Sequence, residues 1–294
     1  MSKFIRKYDY QQITIEDINE IYEIANDYNV FYKLPRHGRG DINDRRTYLQ
    51  AFYRGQSDAF WNIVPSICRN KNIDESISAR GSLLFEEMAY KQHYIEPTRL
   101  IDFTTDLDVA MYFACCDNMN KDAAIFIWSY SPYDSEWIRT TIQCELVNIC
   151  RDRISVSEFA EELLDKYSEL KDKYNCIRDF CAELVSFLEH GFMITPSQNP
   201  RERNLRIQRQ KGCLYVCGVK FETPINEMRT SFNAGNNIFC PHDVVVPKEL
   251  DKGHFLVKII IPFHLKNEIM MQLEKRGLQK NFYFRTNIYG KNNS

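Results

Sequence analysis

At 294 residues, with 38 basic against 40 acidic side chains and a net charge of -2, the chain has no overall electrostatic pull toward nucleic acid or anionic lipid. Hydrophobic residues make up 44% and aromatic residues 13%, ample for a buried core, and the length allows one large domain or two small ones. The ten cysteines include no paired Cys-x-x-Cys knuckles and read as reduced thiols, which argues against a disulfide scaffold or a zinc ribbon.

The first ten residues are polar and charged, without the apolar stretch of a signal peptide, and no apolar run reaches membrane-spanning length. A cytoplasmic protein without membrane partners is the expectation. Ile15, Ile18, Ile21, Tyr22, Ile24 and Ala25 fall on one face of a helix over 14–28, with Thr14 as its N-cap and Asp17 as a capping-box partner. Residues 34–44 form a basic, glycine-containing loop. Tyr48–Arg54 is aromatic enough for a strand ended by Gly55, and 58–69 is a connection across it.

Leu83, Leu84, Met88 and Tyr90 mark a helix that ends before Pro97. A polar run from Gln92 to Thr105 follows, with a short strand at Ile101–Thr104. Next comes a helix through Leu107, Val109, Ala110, Phe113 and Ala114, with Asp106 or Thr105 as N-cap. Ala123–Tyr130 is a buried strand, and Pro132 marks a turn. Ser155 and Glu158 make a capping box at the head of a helical stretch reaching Phe192, with a second helix from about Ile177 to Gly191. Pro196–Pro200 is a loop, 201–209 a basic segment and Cys213–Phe221 a strand. Residues 222–252 read as a loop-rich insertion. A strand over Phe255–Pro262 and a helix over Leu265–Arg276, with Gly277 just past its end, complete the pattern. Long helices grouped between strand runs favour an α+β fold with a split, mostly antiparallel sheet and a helical insertion at 155–190.

Polar groups concentrate between Gln92 and Thr105: His93, Thr98, Arg99, Asp102, Thr104 and Thr105 sit among apolar residues between two helices. Such a stretch suits a polar site on a packed scaffold. Arg99 and Asp102 also fit a structural ion pair, and His93 beside Tyr94 fits a satisfied core histidine. No glycine-rich phosphate loop, His-Glu-x-x-His helix or Gly-x-Ser-x-Gly elbow is present. The six histidines are scattered, and Pro241-His242-Asp243 alone is not a metal site. Cys115-Cys116 lies on a helix and reads as packing.

Taken together, Tyr53-Arg54-Gly55, the run from His93-Tyr94 through Pro97-Thr98-Arg99-Leu100-Ile101-Asp102-Phe103-Thr104, and Ala110-Met111-Tyr112-Phe113-Ala114 resemble the FRG domain family. Gln210-Lys211-Gly212 and the segment 273–284 extend the likeness over roughly 45–290, leaving 1–44 as an N-terminal extension. The sequence departs from the family at Ile95-Glu96, where a glycine-containing pair is usual, and at Phe103, where tryptophan is usual.

A looser fold-level analogy is to the ADP-ribosyltransferase superfamily, in which an Arg or His on the first strand holds NAD. That resemblance implies a nucleotide ligand, NAD as substrate, and cleavage of the nicotinamide–ribose bond toward a nucleic-acid or protein acceptor. A toxin or defence role in conflict with phage is a family-level expectation. It gives Arg54, Gly55, Gln56, Thr98, Arg99 and Thr104 as binding residues, and Asp102, His93 and Gln210 as catalytic ones. Gly55 would let a flat ligand lie against the backbone. Gln210 stands where the superfamily carries a glutamate, and an amide cannot act as a base. A non-catalytic nucleotide- or nucleic-acid-binding module on the same fold is therefore the alternative. A third reading makes residues 155–190 a helical docking element.

Overall fold

The structure, a computed structural model, describes residues 11–28, 31–32, 47–48, 50–69, 97–130, 136–174, 176–194, 205–222, 234–245 and 255–278. The chain runs through β1 (Gln11–Thr14), α1 (Asn19–Tyr28), the short pair β2 (Phe31–Tyr32) and β3 (Thr47–Tyr48), β4 (Gln50–Gln56) and α2 (Ser66–Arg69). It continues through β5 (Leu100–Thr104), α3 (Leu107–Cys115), β6 (Ala123–Tyr130), α4 (Glu136–Asn148) and β7 (Ile154–Ser155). Then come α5 (Val156–Lys166), α6 (Ser168–Lys173), α7 (Ile177–His190), β8 (Phe192–Ile194) and α8 (Leu205–Arg209). The last elements are β9 (Gly212–Val216), β10 (Val219–Phe221), β11 (Ile238–Val244), β12 (Phe255–Ile261) and α9 (Lys266–Lys275).

A seven-stranded sheet in the order β1-β12-β6-β4-β5-β9-β8 forms the frame. Only the edge pair β1–β12 is parallel; the other neighbours run antiparallel. The fold is thus mixed α and β around a mostly antiparallel sheet, as the grouping of helices and strands implied. On one face, α1, α3 and α9 bury Ile21, Ile24, Ala110, Ala114, Ile269 and Leu273 against Ile125, Ile127 and Ile259. On the other, Phe103, Trp128 and Tyr215 pack together, with Trp128 and Tyr215 rings 4.5 Å apart. A second, three-stranded sheet, β10-β11-β7, packs with α4, α5 and α7 around Phe159, Phe180 and Phe239.

Local signals hold at several ends. Asp106 is the N-cap of α3, accepting from Asp108 N, and Ser155 with Glu158 forms the capping box of α5. α7 ends at Gly191 in positive φ, and Gly277 follows α9, also in positive φ. The first helix differs from expectation. Thr14 belongs to β1, and Asp17 accepts from the Asn19 and Glu20 amides at 2.7 and 3.4 Å, so the helix starts at Asn19. The 213–221 run is two strands, β9 and β10, that enter different sheets. They part at Gly218, where an added Cβ would lie 2.5 Å from the Leu188 and Glu189 oxygens at the end of α7. Within the segment read as a loop-rich insertion, β11 pairs antiparallel with both β10 and β7. α4 had no counterpart in the periodicity.

The segment before residue 45, read as an extension, supplies β1 and α1 to the main sheet and its core. All ten cysteines are free. Among the described residues no helix is long and apolar enough to cross a membrane. The helix ending before Pro97, the basic loop at 34–44 and the loop at 196–200 lie outside the described residues.

Candidate functional site at an opening in the sheet

β4 is paired with β6 along its whole length, from Gln50↔Tyr130 to Gln56↔Ala124. β5 is likewise paired with β9 from Leu100↔Val216 to Thr104↔Gly212. Between β4 and β5 themselves, the ladder holds only Tyr53↔Thr104. Beyond that pair the strands separate, and the sheet opens at Arg54–Gln56 on one side and Leu100–Phe103 on the other. Main-chain groups at such an opening need other partners. Arg54 supplies one: its Nη1 donates to Asp102 O at 2.6 Å.

Gly55 fixes how closely α3 approaches the opening. A Cβ there would sit 1.9 Å from Ala110 O and 2.7 Å from Ala114 N. The glycine therefore admits the helix against the strand. This corrects the expectation that its bare face receives a flat ligand.

The third wall is the turn before β9. Thr104 Oγ1 donates to Gln210 O at 2.7 Å, Thr105 N donates to Lys211 O at 3.0 Å, and Lys211 Nζ pairs with Asp106 Oδ2 at 2.7 Å. Lys211 itself has φ of 44°, in the left-handed region. Gln210 is held at 7% exposure.

These elements enclose a cavity of about 180 Å³ lined by Tyr53, Arg54, Gly55, Asp102, Phe103, Thr104, Val109, Ala110, Phe113 and Gln210. Arg54 Nε and Gln210 Nε2 are buried donors that find no acceptor among the described residues. Burial lowers the pKa of Arg54; the charge of Asp102 opposes that shift, and Arg69 adds to it. Cys213, opposite Phe103 in the β5–β9 ladder, has its thiol pushed well up by burial and by Asp102.

Of the residues singled out in the sequence, Arg54, Gly55, Asp102, Thr104 and Gln210 meet at this opening. Three others do not line it. Gln56 donates to Asn62 O at 3.4 Å. Thr98 ties to Ser66, whose Oγ accepts from Thr98 N at 2.9 Å and donates to Thr98 O at 3.2 Å. Arg99, fully buried, donates from Nη2 to Pro241 O at 2.7 Å, on β11 of the second sheet. Its expected place beside Asp102 in the cleft is thus corrected: Arg99 lies just before β5, and its guanidinium is taken up by the second sheet. His93 lies outside the described residues. The helix of the motif supplies the apolar wall of Val109, Ala110 and Phe113, none of which the sequence marks singly as a site residue. Among the described residues no group of three or more His, Cys, Asp or Glu is placed to hold a metal.

Against known proteins, no curated sequence and no solved structure matches this chain. The model of the FRG domain matches residues 80–123, a span shorter than the likeness read from the motifs. It takes in β5 and α3, the elements that bring Asp102, Thr104 and Phe113 to the opening. Over that span, the chain is similar to the FRG domain.

Proposed function

We propose that the opening between β4 and β5 binds a nucleotide, with NAD as the ligand to which its groups are best suited, in the manner of an ADP-ribosyltransferase. The observation carrying this reading is the pair of buried donors, Arg54 Nε and Gln210 Nε2, without acceptors among the described residues. A buried donor left so costs about 1–3 kcal/mol, which a ligand oxygen would offset. The lining of Tyr53, Phe103, Val109 and Phe113 suits a flat ring. At about 180 Å³ the cavity takes one ring of a dinucleotide rather than the whole.

In this reading Arg54 anchors the ligand and Gln210 donates to the nicotinamide carboxamide oxygen. Asp102 is the one carboxylate among the described lining residues. The bond between ribose C1′ and the nicotinamide nitrogen breaks, and its electron pair leaves with nicotinamide. The carboxylate of Asp102 stabilises the oxocarbenium-like sugar. Water or an acceptor hydroxyl adds at C1′ and loses its proton to Asp102 or solvent.

A second reading is a non-catalytic nucleotide- or nucleic-acid-binding module. It is favoured by the neutral amide of Gln210, which can orient a group but cannot take a proton. Melting temperature with NAD, together with mass spectrometry for nicotinamide, separates the two. A ligand-induced rise with nicotinamide release supports turnover, and a rise without release supports binding alone. No rise and no release contradicts the NAD reading.

A further inference from the structure

The hydroxyl of Thr104 both donates and accepts within the protein. It donates its hydrogen to Gln210 O at 2.7 Å and accepts from Asp106 N at 3.0 Å, at 5% exposure. It therefore has no hydrogen left to donate to a ligand. Both partners matter to the opening: Asp106 caps α3, and Gln210 brings to the cavity an Nε2 that finds no acceptor among the described residues.

The turn that carries Gln210 is held against its own preference. Lys211 sits at φ of 44°, where a residue with a side chain is strained. Thr105 N and the Lys211–Asp106 ion pair grip the turn from the β5–α3 junction. The ion pair is exposed on the lysine side and contributes little. The short, buried bond from Thr104 fixes the main chain of Gln210 itself.

We propose that Thr104 is a positioning residue: its hydroxyl orients the turn so that the Gln210 amide faces the cavity. This rests on the binding role given above to Gln210. Thr104→Val keeps the shape and removes both hydrogen bonds, whereas Thr104→Ser keeps them. The ligand-free readout is the side-chain amide signal of Gln210 in ¹⁵N-glutamine-labelled protein, assigned by its loss in Gln210→Asn. The second readout is the dissociation constant of NAD.

Thr104→Val is expected to shift or broaden the Gln210 signal and to weaken NAD about tenfold, the size of one well-placed hydrogen bond. Thr104→Ser is expected to restore both. An unchanged Gln210 signal in Thr104→Val, or a Thr104→Ser protein that behaves like Thr104→Val, overturns the assignment. If the native protein binds no NAD, the amide signal alone decides the role of Thr104, and the NAD reading falls separately.

Discussion

Arg54 reaches across the sheet opening and donates from Nη1 to the main-chain oxygen of Asp102 at 2.6 Å. The same guanidinium thus holds apart-lying strands together and leaves its Nε without an acceptor among the described residues. A planar fork of donors can do both at once; a point charge cannot.

Arg54→Ala should therefore cost the free protein about 1–3 kcal/mol, through the lost bond to Asp102. It should also abolish the rise in melting temperature caused by NAD. Arg54→Lys should recover little of that rise. Thermal melts of the three proteins at matched NAD concentration check this. A full ligand shift in Arg54→Ala would assign Arg54 to structure alone.

Gly55→Ala tests the packing of α3 on β4. The new methyl would meet the Ala110 oxygen at 1.9 Å, a backbone atom that cannot rotate away. A loss of about 3 kcal/mol is expected, at the upper end for overpacking. Urea denaturation reads it, and a midpoint close to the native one would show that the helix is free to shift.

Lys266 is fully buried, and its Nζ donates to the main-chain oxygens of Ser57, Asp117 and Asn118 at 2.9, 3.0 and 2.9 Å. It joins the chain beyond β4 to the chain beyond α3. Lys266→Met would take the ammonium from the Ser57 and Asp117 oxygens, while Asn118 O keeps its bond from Lys121 N at 2.9 Å, and should cost about 3 kcal/mol. A small change in the denaturation midpoint would mean that water replaces the ammonium without penalty.

Alkaline pH should weaken the fold through Cys115, whose pKa burial raises from 9.0 to about 12. Below pH 9 the thiol is protonated in both folded and unfolded chains, and its contribution is fully present. As pH rises toward 12 the unfolded thiol ionises first, and that contribution is lost. Tyr22, raised from 10.0 to about 12 chiefly by burial, acts in the same direction. Lys266, lowered chiefly by burial, acts oppositely. The loss of stability above pH 9 should be smaller in Cys115→Ala than in the native chain. Equal losses would remove Cys115 from the account.

Local chemistry was legible in the sequence wherever one residue decides an end. Asp106, the Ser155–Glu158 box, Gly191 and Gly277 all mark helix boundaries in the structure. Features set by distant partners were not. α4 buries Arg139 and Gln143 along with Ile138 and Ile142, so its apolar periodicity is broken. β11 contains Pro241 and reads as loop until β10 and β7 are placed beside it. The site divides the same way. Arg54, Asp102, Thr104 and Gln210 were visible as motif residues, but the β4–β5 ladder cut to one pair that gathers them is a tertiary fact. Arg99, equally prominent in the motif, turns to Pro241 because the second sheet lies there.

The most direct test of the account is calorimetric titration of NAD into the native protein and into Gln210→Ala, which removes one of the two buried donors. The account predicts saturable binding at one site in the native protein and a loss of about tenfold or more in Gln210→Ala. Native protein that shows no saturable heat, or a Gln210→Ala protein that binds NAD as tightly as the native one, would contradict the assignment of the sheet opening as the ligand site.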